Sequence, residues 1–274
     1  MVLKSGWHAK VQEIGSIGME KPDRGVVKSV LRASKILSCI SQGSNGVGAI
    51  SKESMLSKGT THRLLKSLVR GGLVIQDPVS EKYFMGPVVF QWLSSVAITH
   101  QVLTIASLEQ MHKLMAETNE TVLLHVRSGL QRVCIEEIES HHNIRYTNGR
   151  GFMAPLHTGA AGKILLSELS NGERELLLNK MELFPITGKT IIERRKLDVE
   201  INNIKKVGYA TSFGERVSGS ACVSVAIKNY SVPVALSVLG PDNRFKSRAF
   251  ENAITATKKA SEKISKRLEE LTSK

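Results

Sequence analysis

The segment from Ser57 to Arg70, SKGTTHRLLKSLVR, constrains this chain more than any other. At about 100° per residue, Thr61, Leu64, Leu65 and Leu68 share one helix face. Arg63, Lys66 and Arg70 share the other, with Gly59 beside them. Ser57 has the side chain of an N-cap, and Gly71-Gly72 stops the helix. A short helix with a buried Leu stripe and a basic outer face suits a DNA major groove. Lys58, Thr60, Thr61, Arg63, Lys66 and Arg70 are the expected DNA contacts.

The flanking pattern agrees. Val27, Val30, Leu31, Ser34, Leu37, Cys39 and Ile40 recur at three and four, predicting a helix that ends in the loop 41–46. A short helix over 48–55 and a turn at 56–59 lead into the basic helix. Residues 73–76 and 82–85 read as strands around the turn Asp77-Pro78-Val79-Ser80. The order is a winged helix-turn-helix over 25–87, with Lys82 on the wing expected to touch the DNA backbone. Within 25–87 stand nine basic residues (Lys28, Arg32, Lys35, Lys52, Lys58, Arg63, Lys66, Arg70, Lys82) and three acidic ones (Glu53, Asp77, Glu81), a net of +6. The whole chain carries +13. Such a charge suits a phosphate backbone.

With 274 residues there is room for a second domain. Residues 1–24 have no period and read as a flexible arm. Residues 88–100, VVFQWLSSVAITH, hold no Lys, Arg, Asp or Glu. They predict a linker helix over 88–101 that packs on a partner subunit or on the rest of the chain. The longest apolar stretch, 86–98, is interrupted by Gln91, Ser94 and Ser95. It falls short of the ~20 residues that span a bilayer. No secretory leader is apparent, and a cytoplasmic location is expected. Three cysteines, Cys39, Cys134 and Cys222, are odd in number and form no CxxC pair. That argues against a disulfide framework and against a structural zinc site.

The expected effector-binding domain spans 102–274. Its first helix occupies 103–117. Strands are predicted at 121–126, 132–138, 144–147, 208–212, 222–227 and 234–239. Helices are predicted after residue 159, at 176–181 and 192–207, and from 247 to 271. Hairpin-length links between strands imply an antiparallel sheet covered by helices, an α+β domain. Two blocks could build a pocket. PLHTGAAGK (155–163) opens a helix with small residues, which suits either an anion at the free N–H groups or close packing on a sheet. GYATSFGERVSGSAC (208–222) joins a strand to a Gly-rich loop, and Ser212, Cys222 and Ser237 could point into one cavity.

Catalysis finds little footing. His157 and Cys222 could serve as base and nucleophile, but no Asp or Asn stands ready to orient them. His141, His142 and Cys134 lack metal-ligand spacing. No P-loop and no strand-linked GxGxxG occurs. No enzyme activity, metal or cofactor is expected.

Taken together, these blocks resemble the IclR-type bacterial transcriptional regulators over about residues 25–270. The resemblance rests on KSVLRA (28–33), SKGTTHRLLKSL, the wing ending YFMG (83–86), PLHTGAAGK, GYATSFGERVSGSACVSVAI and LSVLGPDNRF (236–245). It implies a winged helix-turn-helix, a linker helix and a GAF-like effector domain. It implies homodimers, often paired into tetramers, on palindromic operators, and control, as a repressor, of a catabolic operon. The family's effector pocket maps by position onto Ala160, Ala161, Ser212, Cys222, Ser237 and Leu239. Some members carry an acid where this chain has Ser212 and a hydroxyl where it has Leu239. A larger or more apolar acid than the smallest keto-acids is therefore expected. The alternative is a metabolite-binding or ligand-processing protein whose N-terminal module mediates protein contacts.

Overall fold

A computed structural model describes residues 26–246 and 248–272, so the expected arm at 1–24 lies outside the described residues. The chain divides into two compact units, one ending at Thr99 and the other beginning at His100.

The first unit holds α1 (Lys28–Ser41), α2 (Val47–Ser54), α3 (Lys58–Arg70) and a hairpin of β1 (Val74–Gln76) and β2 (Tyr83–Met85). The hairpin is antiparallel, with Val74 opposite Met85 and Gln76 opposite Tyr83. Ile36, Cys39, Ile40, Ile50, Leu65, Leu68, Val74 and Tyr83 form one apolar core. Met55 takes a left-handed conformation (φ 56°) that ends α2. The Ser51 hydroxyl donates to Leu56 O at 2.6 Å and fixes the turn into α3. The first half of α1 departs from expectation: Val27, Val30 and Leu31 are more than half exposed. Its apolar stripe outruns the small core beneath it.

The expected helices at 88–101 and 103–117 are one continuous helix, α4 (Pro87–Thr118). After Pro87 the segment holds neither Gly nor Pro to interrupt it. The second unit adds β3 (Thr121–Ser128), β4 (Gln131–Ile138), β5 (Met153–Pro155), α5 (Gly159–Ser167), α6 (Asn171–Lys180), α7 (Arg194–Val207), β6 (Ala210–Phe213), β7 (Ser220–Ile227), β8 (Val234–Pro241) and α8 (Arg248–Thr272). The six strands run in the order β5-β4-β3-β8-β7-β6, and each neighbouring pair is antiparallel.

One expected strand does not form. Residues 144–147 lie outside the ladder, and β5 at Met153–Pro155 pairs with β4 instead. The N–H groups of Asn148 and Gly149 donate to the Glu137 carboxylate at 3.0 and 2.7 Å. A side-chain acceptor thus holds the chain in a loop immediately after this stretch.

Period-two alternation gives the sheet two different faces. Val122, Leu124, Val126, Val223, Leu236 and Val238 pack against α4 and α8 through Leu103, Met111, Leu114, Ile264 and Leu268. The opposite face presents small residues, Ala210, Ala226 and Ala235, beneath α5 and α7. Small residues let α5 sit close, and every one of its residues is buried. Gly162 marks the closest approach: a Cβ there would stand 2.1 Å from the Leu156 carbonyl oxygen. Backbone cannot move aside as a flexible side chain can. Gly162→Ala is therefore expected to cost about 3 kcal/mol of overpacking, read as a lower urea midpoint for the second unit.

Candidate functional site

Helix α3 presents its cations as the sequence predicts. Ser57 caps it by accepting from the Thr60 N–H, and Gly71 follows its last residue. Lys58, Arg63, Lys66, Arg70 and, on the wing, Lys82 are exposed. None of the five forms an ion pair among the described residues. His62 joins this exposed face, a residue the sequence reading passed over. The two threonines differ. Thr60 is half-buried, and its hydroxyl accepts from Ser57 Oγ at 2.9 Å. Thr61 is fully buried, its hydroxyl donating to Ser57 O at 3.1 Å. Thr61 belongs to the core side of α3, which corrects its expected place among DNA contacts. At the wing turn, Asp77 accepts from the Ser80 hydroxyl and from Ser80 N, bonds that hold its carboxyl below the usual range.

In the second unit the ladder aligns the expected pocket residues. Ser212 pairs with Cys222, and Cys222 with Leu239. They form one row across β6, β7 and β8. Ser237 stands two residues along on the same face and shares a 2.6 Å hydroxyl contact with Ser224. Ala160 and Ala161 sit in the α5 core, against which Cys222 also packs. Cys222 touches a second cluster of Leu123, Cys134, Phe152, Ala154 and Leu239. Burial raises the Cys222 thiol above its usual value and pushes Cys134 up to about 12, so both stay protonated and unreactive. His157 donates from Nε2 to Phe184 O at 3.0 Å, and no hydrogen bond joins it to Cys222. Among the described residues, no group of three His, Cys, Asp or Glu could hold a metal ion.

The buried charges near this row escaped the sequence reading. Lys163, the last residue of PLHTGAAGK, is 1% exposed. Its ammonium donates to Glu215 Oε1 (2.7 Å), Thr211 O (2.8 Å) and Glu200 Oε1 (3.1 Å). The other Glu215 oxygen accepts from Gly159 N at 2.9 Å. An internal carboxylate thus takes the first N–H of α5, and those of Ala160 and Ala161 still lack intrahelical acceptors.

Arg132 is 4% exposed. Its Nη1 donates to Thr158 O (2.6 Å) and Pro155 O (2.9 Å), while its buried Nε has no hydrogen-bond partner. Burial, then the nearby Arg216, pulls its guanidinium down to about 9. Arg216 donates to Asn148 Oδ1 at 2.6 Å and lies 4.8 Å from the Phe152 ring centroid. Beneath them His125 is 1% exposed, and neither ring nitrogen has a partner among the described residues.

Glu215→Gln would leave Lys163 buried with only the half-exposed Glu200 opposite it. Breaking a buried pair from one side costs about 3 kcal/mol, measurable by urea unfolding. The histidines supply a pH dependence. Burial holds His125 well below, and His157 below, the usual histidine value of about 6.5. Both are neutral in the fold and protonate more readily in the unfolded chain. The unfolded state then binds more protons below about pH 6.5, and stability falls as pH drops. His125→Leu is expected to lessen that acid-side loss, seen in urea midpoints at about pH 7 and pH 5.

Comparison with known proteins places this geometry. Residues 29–78 match the model of the IclR helix-turn-helix domain, and residues 95–266 match that of the bacterial transcriptional regulator IclR C-terminal domain. The HTH-type transcriptional regulator KdgR of Dickeya chrysanthemi is 31% identical over 82% of this chain and 74% of its own. The HTH-type transcriptional repressor AllR of Escherichia coli K12 is 29% identical over 91% of this chain and 90% of its own. The crystal structure of the Thermotoga maritima IclR superposes with a TM-score of 0.72 at 26% identity, covering 88% of this chain and 98% of that one. The first unit is a DNA-binding winged helix-turn-helix and the second an effector-binding domain. The chain belongs to the IclR family of bacterial transcriptional regulators, a family of ligand-responsive DNA-binding proteins and not of enzymes.

Proposed function

We propose that this protein is a cytoplasmic repressor of a catabolic operon, released from or locked onto its operator by a small organic acid. The observation that carries the reading is a matched pair of unneutralised cations. One set, on α3 and the wing, faces outward toward phosphates. The other, Arg132 with Arg216, faces inward toward a ligand anion. Both sets would be costly without an anionic partner, because like charges repel and buried ones lose their water.

The working divisions are a reading head over 25–87, a linker over 88–101 and an effector domain from 102 onward. The protein acts as a homodimer that can pair into tetramers, and an apolar stripe of Val27, Val30 and Leu31 at the start of α1 offers the covering surface. A dimer sets two α3 helices about 34 Å or a multiple apart, so the operator is a palindrome. The effector lies among Ala160, Ala161, Ser212, Cys222, Ser237 and Leu239. With Ser212 and Leu239 in its lining, that effector is an aliphatic or aromatic acid larger than glyoxylate or pyruvate. It acts by binding two conformations unequally, and a coupling of ~1–3 kcal/mol changes DNA affinity ~5–150-fold. The chain passes between the two units inside α4, which makes that helix the carrier of the change.

Binding to DNA from upstream of its own gene, followed by anisotropy over a range of salt, tests the reading. A steep salt dependence is expected, and no binding at low salt would refute it. Arg63→Ala should weaken operator binding and flatten the salt slope by about one. A loss shared equally with random duplex makes Arg63 a phosphate clamp, and a loss confined to the operator makes it a base reader.

A further inference from the structure

Within the second unit, each buried cation can be checked for a counter-charge. Lys163 has Glu215 and Glu200. Arg150, exposed, has the buried Glu136. Arg132, Arg174 and the partly exposed Arg216 have none: among the described residues, none of the three forms an ion pair. Arg174 stands apart on α6, where it donates to Asn171 Oδ1 at 3.1 Å. The acids nearby are already engaged. Glu215 is shared between Lys163 and the Gly159 N–H. Glu137 lies within electrostatic range of Arg216, but its Oε2 accepts from Asn148 N and Gly149 N while its buried Oε1 bonds to nothing.

The two guanidiniums reach the same cluster. That of Arg216 stands 4.8 Å from the Phe152 ring centroid, and Phe152 packs with Leu239 and Cys222. Both arginines lie within electrostatic range of Cys222, and Arg216 within range of Arg132. Cys222 is the middle of the row Ser212–Cys222–Leu239. The start of α5 lies over Arg132: a Cβ built on Gly159 would be 3.5 Å from Arg132 Nη2 and 3.8 Å from Ser212 Oγ. The Nε of Arg132 is an unpartnered donor on a side chain that is 4% exposed. His125, at the same depth and feeling both arginines, leaves both its nitrogens free for a polar group between them.

A single carboxylate on Arg132 would leave the partly exposed Arg216 without a counter-charge. The planar fork of a guanidinium suits a carboxylate in two-point contact. We propose that the effector is a small dicarboxylate, one carboxylate on Arg132 beside Ser212 and the start of α5, the other on Arg216. The inference rests on reading this pocket as the effector site. The backbone between the two carboxylates lies along Cys222 and Leu239, and His125 meets any hydroxyl or keto oxygen it carries.

Calorimetry on the full-length protein tests this with succinate, glutarate and adipate against butyrate, valerate, benzoate and inorganic phosphate. At least one diacid is expected to bind about 10-fold or more tightly than the monoacids and phosphate. Arg216→Gln should remove most of that preference, and Arg216→Lys should restore part of it. The wild-type comparison decides the matter even where a variant fails to fold. Monoacids or phosphate binding as tightly as every diacid would overturn the dicarboxylate and leave the organic-acid reading standing. Equal weakening of both classes by Arg216→Gln would do the same. No binding by any acid would overturn both readings.

Discussion

The ammonium of Lys163 holds the effector domain's interior together. It is buried at the first turns of α5, and it reaches a carboxylate on the loop after β6, a carbonyl of β6 itself and a carboxylate on α7. A buried charge must be met from several sides or the fold loses more than it gains. Meeting it here fixes where α5 lies on the sheet, how the 214–219 loop turns, and which way Glu215 points. Because Glu215 also takes the Gly159 N–H, the entrance of α5 and the pocket wall become one rigid corner. The Ser212–Cys222–Leu239 row is presented against that corner rather than against a mobile loop.

Arg132 is held differently from Lys163. The backbone oxygens of Pro155 and Thr158 place it, and no internal acid pairs with it. The carbonyls orient the guanidinium but leave its charge unspent. A ligand anion then meets donors already aimed, which reduces the ordering that binding would otherwise require. The exterior of the first unit follows a similar rule. Ser57 and the Ser51 hydroxyl fix both ends of the turn before α3, so the exposed Arg and Lys side chains project from a rigid base.

Much of this was legible from residue order. Leu65 and Leu68 inward with Arg63 and Lys66 outward is a local pattern, complete within one helix, and so are the wing and the alternation of β7 and β8. What failed to show depends on distant partners. Lys163 reads as a surface lysine because its counter-charges stand 37 and 52 positions away. Nothing local marks Arg132 as buried, since its carbonyl partners Pro155 and Thr158 stand 23 and 26 positions on. Thr61 shares the Leu face by period, and the bond from its hydroxyl back to Ser57 O keeps it off the outer face. Residues 144–147 have strand-forming side chains, yet the Glu137 carboxylate captures the backbone donors that follow. Propensity lost to a hydrogen bond it could not anticipate.

The strand order carries a consequence for how the chain is made. β3 and β8 are hydrogen-bonded neighbours, with Val122 opposite Val238. The first and last long strands of the second unit are thus adjacent, and no sheet of more than three strands can close until residue 241 has left the ribosome. The first unit needs no such wait, since its helices and hairpin contact one another within 26–99. Synthesis from the N-terminus therefore releases the reading head while the sheet of its controlling domain is still in two unjoined pieces. During that interval the nascent chain carries its DNA-binding face without its sensor, and the domain most exposed to misassembly is the one that confers regulation.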